Sequence, residues 1–174
     1  MLHDFKVYLC NFFITYIPFH FVRLFYYKHV MKFKIGKGSS IHLGCKFTAV
    51  TEFYMGKNST INQYCRLDNR GGITIRDNVS VSPCVSLITA DHDVHSIDCA
   101  GRQNTIIIND HVFIGSDAMV LPGVIMEEGS VLGAKSLLTK STTKFGIYTG
   151  LPAQLKANRR TDLSYHASYT RWFH

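Results

Sequence analysis

The chain has 174 residues, 46% of them hydrophobic and 18% charged, with a formal net charge of +7. That length suits one domain with room for a sizeable core, and the five cysteines, at 10, 45, 65, 84 and 99, show no paired metal-ligand spacing and read as reduced packing residues of an intracellular protein. Because the basic residues are scattered or gathered at the two ends, with no basic helix and no aromatic platform, nucleic acid gives way as a partner to an anionic membrane surface or a phosphate-bearing cofactor.

Residues 1–34 form the first segment, apolar and aromatic from Val7 to Tyr27 but interrupted by Asn11, Pro18, His20 and Arg23. A spanning helix needs about 20 apolar residues, and an arginine near its middle costs about 2.5 kcal/mol or more. No small-residue cleavage site follows, so a secretory signal is not expected. The composition predicts two short helices broken at Pro18, the second followed by Lys28, Lys32 and Lys34. Two uses are open, a cap on the next segment and an anchor to an anionic lipid surface.

From Ile35 the chain falls into six-residue units. Ile35, Ile41, Phe47, Met55, Ile61, Leu67, Ile75, Val81 and Leu87 occupy the first slot, and Ser39, Cys45, Thr51, Ser59, Cys65, Gly71, Val79 and Val85 the fifth. One bulky and one small inward position per unit suit a short strand and a corner, repeated around a narrow prism. Ile35 to Met55 and Met55 to Ile75 are each three units plus two residues, at Phe53-Tyr54 and Ile73-Thr74. Three faces per turn follow, with about five turns in roughly 115 residues.

The repeat breaks once. After His92, residues 93–107 have no place in it and must loop out, before Ile108, Ile114, Val120, Met126 and Leu132 resume the first slot. Backbone released from a rigid scaffold is where binding and catalysis tend to sit. His92 stands at the root of this loop, where a neutral imidazole could accept a proton from an attacking hydroxyl or amine, with Asp91, Asp93 or a carbonyl holding its other nitrogen; closing the corner is the plainer alternative. His95 lies three residues further out. The tail, residues 157–174, carries Arg159 and Arg160 but no readable motif.

These units, together with Ala90-Asp-His-Asp-Val-His-Ser-Ile-Asp98, Val112-Phe-Ile-Gly-Ser116, Leu121-Pro-Gly-Val124, Val131-Leu-Gly-Ala134, Leu138-Thr-Lys140 and Gly150-Leu-Pro-Ala153, resemble the bacterial hexapeptide-repeat acetyltransferases of the galactoside, maltose and colanic-acid types. The resemblance covers residues 35–156. It implies a mainly β chain wound as a left-handed parallel β-helix behind a short N-terminal helical segment, and a homotrimer with acetyl-CoA between subunits. It further implies a cytoplasmic bacterial enzyme that acetylates a saccharide without a metal; the aromatic, basic N-terminus would place it at the inner face of the membrane and favour a lipid-linked glycan as acceptor.

By position, the resemblance makes His92 the general base and Asn62 an acceptor ligand; Ser116 and Ala134 would meet the pantetheine arm, and Thr139 and Lys140 the nucleotide end. Gln154 replaces a basic residue common after the Gly-x-Pro-Ala turn, leaving Lys156, Arg159 or Arg160 to meet the CoA phosphates. Asp68-Asn69-Arg70 departs from the acidic acceptor ligand and argues against a simple galactoside or maltose. Transfer to an amino-sugar nitrogen and a non-catalytic scaffold at the membrane surface are the competing readings; zinc-dependent hydration of carbon dioxide, which needs three converging histidines, is disfavoured because His42, His92, His95 and His111 do not repeat at one height of the coil.

Overall fold

A computed structural model describes residues 1–169, so the last five residues of the expected tail lie outside the described residues. The six-residue units form short strands on three faces. Face one holds Lys34–Ile35, Phe53–Met55, Ile73–Ile75, Ile106–Ile108 and Ile125–Met126, and face three holds Lys46–Phe47, Arg66–Asp68, Ser86–Ile88, Met119–Val120 and Leu137–Leu138. Face two holds Ser40–Ile41, Thr60–Ile61, Ser80–Val81, Phe113–Ile114, Val131–Leu132 and Gly146–Gly150. Each strand pairs in parallel with its counterpart one turn away, as Ile41 with Ile61, Ile61 with Val81, and Val81 with Ile114. The result is a left-handed parallel β-helix of five full turns, with Gly146–Gly150 opening a sixth before Ala153–Asn158 folds back antiparallel against it.

First-slot side chains fill the prism: Ile41, Ile61, Val81, Ile114 and Leu132 are fully buried in one column, and Cys45, Cys65, Val85 and Ala118 fill a small-residue column beside it. The sequence pattern left a third constraint unread. At the corners after faces one and two, and at Gly123 after face three, the fourth slot turns in left-handed backbone geometry: Gly38, Gly44, Asn58, Tyr64, Asn78, Cys84, His111, Asp117, Gly123, Gly129 and Lys135 have φ between 53° and 79°. Cys84 sits on such a corner and Cys99 on the excursion, so both are exposed rather than packing residues; Cys10, Cys45 and Cys65 are buried, and all five are free.

The excursion also differs from its expected bounds. Ile106 and Ile107 pair with Ile73 and Thr74 on face one, just as Phe53 and Tyr54 do, so the coil resumes at Ile106 and not after residue 107. Those isoleucines lengthen a strand because Ile106 buries its side chain in the core.

Two helices, α1 (Leu2–Phe12) and α2 (His20–His29), close the N-terminal end with Pro18 between them. The first turn has no earlier turn to pair with, and the cap's polar side chains take that turn's place. Asn11 accepts the Phe47 N–H at 3.0 Å and donates to the Phe47 carbonyl at 2.7 Å. Thr15 donates to the Cys45 carbonyl at 2.8 Å, Arg23 to the Ile41 carbonyl at 3.4 Å, and His20 Nε2 accepts the Ile41 N–H at 3.3 Å. The sheet edges are thereby covered. No helix among the described residues is long and apolar enough to cross a membrane.

Replacing Asn11 with leucine strands both Phe47 backbone groups and should destabilise the fold by about 1–3 kcal/mol, read from the thermal melt; an unchanged melt would dismiss this account of the cap. His20 gives a second expectation. Burial, then the charges of Arg23 and Lys28, lower its pKa from 6.5 to about 4. Between those values the unfolded chain takes up a proton that the folded one refuses, so stability should be full above pH 6.5 and fall as pH drops towards 4. Denaturant midpoints across that range should flatten in His20→Gln.

Candidate active site

The excursion is a β-hairpin arm that departs after face three. Ala90–His92 pairs antiparallel with Gly101–Gln103, placing Ala90 opposite Gln103, Asp91 opposite Arg102 and His92 opposite Gly101. Its root is pinned by buried Thr89, whose carbonyl accepts the Asn104 N–H at 2.8 Å and whose hydroxyl accepts the Gly71 N–H at 2.8 Å while donating to the Asp68 carbonyl. Asp91 and Arg102 clasp the two strands through paired bonds of 2.9 and 2.8 Å. The arm is therefore ordered from its root, and His92 closes its first strand.

The His92 ring is fixed from one side. Its Nδ1 lies 2.8 Å from the Cys99 carbonyl, which can only accept, so Nδ1 carries a proton and Nε2 is the nitrogen that holds the lone pair of the neutral ring. Of the three partners the sequence offered, a carbonyl holds the ring; Asp91 is engaged by Arg102, and Asp93 accepts the His95 backbone N–H at 3.0 Å. His95 is exposed in the segment joining the two strands, near the exposed Val94 and Ile97.

His92 lines a hollow of about 190 Å³ with Ala90, Asp91, Gly101, Arg102, Gln103 and Arg70. Arg70 is held there by Asp68 through bonds of 2.8 and 2.7 Å. Burial pulls the Asp68 carboxyl upward, but hydrogen bonds from Arg70 and Thr48 outweigh it, and its pKa lies below the usual value. Asp68 thus positions an arginine, while Asn69 is consumed by the corner, accepting from Thr48 and Ala49 and donating to Ala49 and Thr51. Sequence reasoning missed Arg70 and Arg102. The available signal was charge pairing: an aspartate two residues before Arg70, and the opposite charges of Asp91 and Arg102 on the two sides of a hairpin.

The other candidates divide between two edges of the prism. Thr139 and Lys140 follow face three, on the same edge as the arm, and line a hollow of about 310 Å³ that Gln154 also borders. Asn62, Ser116 and Ala134 lie at corners between faces two and three. Asn62, Ser82, Gly115 and Gly133 stack there through consecutive N–H bonds to the turn beyond, and a Cβ on Gly115 would meet the Ala134 nitrogen at 2.5 Å, so the corner approaches its neighbour closely. The Asn62 side chain donates to the Val81 carbonyl at 2.9 Å and accepts from the Tyr169 hydroxyl, because the tail runs back along face two. A single chain therefore does not bring Asn62 to His92.

The basic residues near the tail are largely engaged. Arg159 donates to the His111 carbonyl at 3.0 Å and to Tyr165 at 3.2 Å, and Arg160 pairs with Asp162 at 2.5 Å; Lys156 is exposed. Among the described residues no three His, Cys, Asp or Glu side chains gather as metal ligands. His42 is buried beside Ser40, and His111 lies against Tyr165, both away from the arm.

Residues 105–140 match the family described as hexapeptide repeat of succinyl-transferase. The chain is 34% identical over 122 residues to the galactoside O-acetyltransferase of Escherichia coli, covering 68% of this chain and 54% of that protein. It is 30% identical over 120 residues to Escherichia coli WcaF, named for colanic acid biosynthesis acetyltransferase, covering 69% and 66%. In fold it matches a hexapeptide-repeat acetyltransferase of Vibrio cholerae solved with acetyl coenzyme A, with a TM-score of 0.84, 20% identity, and coverage of 92% and 88%. The chain spans about half the length of most curated relatives it matches.

If Thr89 sets the arm, Thr89→Val should leave the Gly71 N–H unpaired in a buried place, lower stability by about 1–3 kcal/mol, and speed amide exchange at Gly71 and along the arm more than in the coil. Uniform exchange across the molecule would refute the pinned root.

Proposed function

Since the chain belongs to the hexapeptide-repeat acetyltransferase family, we propose that it transfers the acetyl group of acetyl-CoA to a hydroxyl of a saccharide or lipid-linked glycan precursor, with His92 as general base. The carrying observation is the His92 ring, held by the Cys99 carbonyl with Nε2 left as an acceptor in a polar hollow on an ordered arm. His92 Nε2 takes the acceptor hydroxyl proton as that oxygen attacks the thioester carbonyl. When the tetrahedral intermediate collapses and the carbon–sulfur bond breaks, His92 returns the proton to the departing thiolate. No acyl-enzyme is needed, and the chain ends unchanged.

The distribution of residues over two edges supports a homotrimer. The arm edge of one subunit would face the edge of a neighbour bearing Asn62, Ser116 and Ala134, with the exposed Val94 and Ile97 reaching across. Ser116 and Ala134, beside glycines that let turns approach closely, suit an extended pantetheine chain, and Lys140 suits a phosphate. The Vibrio cholerae neighbour's acetyl coenzyme A supports the donor, and the two relatives' names support a sugar acceptor. Asn62 would join the acceptor site once Tyr169 yields its side chain.

The test is thiol release from acetyl-CoA with a panel of nucleotide sugars and lipid-linked saccharides, run beside His92→Ala. Turnover should fall about 10²–10⁴-fold with the trimer intact by light scattering. Undiminished turnover would overturn the assigned base, and a monomeric mass with full activity would overturn the shared site.

A further inference from the structure

The N-terminal cap has two faces of opposite character, and only the inner one is accounted for by the coil. Its inner face buries Cys10, Thr15, Arg23 and Tyr27, with the Tyr27 ring against Phe33 and Phe47. Its outer face is a stripe of aromatic and aliphatic side chains. On α1, Leu2, Phe5, Tyr8 and Phe12 recur at helical spacing, and on α2 Phe21 and Phe25 do the same. Phe12, Phe21 and Phe25 are 58%, 72% and 63% exposed. An end cap that met only water would carry a polar outer face. Contiguous exposed apolar surface of this kind marks a contact.

Charge decides which contact. Residues 1–51 hold seven Lys and Arg and one acidic residue, Asp4, a balance of +6; residues 52–174 hold twelve and eleven, a balance of +1. Nearly all of the net charge of +7 thus belongs to the cap and the first turn. Lys28, Lys32 and Lys34 are exposed in and just after α2, and the Lys46 ammonium sits 5.8 Å over the Phe12 ring. Exposed aromatic rings on an end of the molecule that also carries exposed lysines match a bilayer interface, where rings enter the boundary of headgroup and acyl chain and ammonium groups meet lipid phosphates. At 11 and 10 residues the helices are too short to span a bilayer, so they would lie on it.

We propose that the outer face of this cap docks on an anionic phospholipid surface. The axis of the coil would then stand away from the membrane, with the arm leaving from the third turn. At about 4.8 Å per turn, that is about 10 Å along the coil from the capped first turn. Such a height suits an acceptor whose saccharide projects from a lipid anchor. The docking itself rests on the cap alone and does not depend on the transferase reading.

The experiment is flotation of the full chain with vesicles of phosphatidylglycerol and phosphatidylethanolamine, against vesicles of pure phosphatidylcholine. The wild-type chain should float with the anionic vesicles and bind at least tenfold more weakly to phosphatidylcholine or in high salt, by roughly the loss expected when several lysine contacts are screened. Two variants separate the contributions, Phe5→Ser/Phe12→Ser/Phe21→Ser and Lys28→Glu/Lys32→Glu. Each should lose at least about tenfold in binding while circular dichroism and thiol release with a water-soluble acceptor stay unchanged. Absence of flotation would overturn the proposal, as would equal binding to both vesicle types. So would a lipid-independent doubling of mass that the Phe substitutions abolish, which would assign the face to a second copy of the chain.

Discussion

The narrow bore of the β-helix governs everything else in the molecule. Turns stack at a fixed hydrogen-bonding distance, so each residue column must agree with the columns above and below it. The bore accepts one bulky side chain and one small one per strand and corner, as Ile61 and Cys65 or Ile114 and Ala118 show. At the corners after faces one and two the backbone turns through left-handed geometry, even at Tyr64 and Lys135, where the residue type does not favour it. No space remains inside for chemistry.

A functional group must therefore leave the coil, and the way it leaves matters. A slack loop would scatter His92 over many positions. Instead Thr89 ties the root into the corner, antiparallel pairing extends it, the Asp91–Arg102 clasp closes it, and the Cys99 carbonyl, in the segment joining the two strands, holds the imidazole. Two arginines bring polarity into the hollow, Arg102 from the arm's second strand and Arg70 from the turn before. Each arginine is already matched by an aspartate, which makes the hollow polar and donor-rich without leaving it strongly charged.

The end of a solenoid poses the opposite problem, since its last backbone groups face nothing. Here Asn11, Thr15, His20 and Arg23 supply the missing partners, which explains why an otherwise aromatic segment contains polar residues at those places. These bonds to the first turn account for polar interruptions that the sequence alone leaves puzzling, while Phe12, Phe21 and Phe25 stay exposed on the other side. The concentration of positive charge on the same end is a separate fact with a separate physical effect, long in range where ring burial is short.

The repeat made the strands, the three faces and the buried columns legible because stacking is a nearest-neighbour relation, and residues such as Ile41, Ile61 and Val81 announce it at regular separation. The break after His92 announced the arm for the same reason. Neither the hairpin register nor the carbonyl that holds His92 could be read this way, since Cys99 and Arg102 meet their partners through pairing in an aperiodic segment. Arg70 entered the site only because Asp68 and the corner at Asn69 fix its direction. Sequence by itself determined the winding and where it is interrupted, for period reports local packing. Tertiary structure alone decided that the Cys99 carbonyl orients His92 and that Arg70 shares its hollow, because those contacts cross aperiodic backbone that carries no period to read.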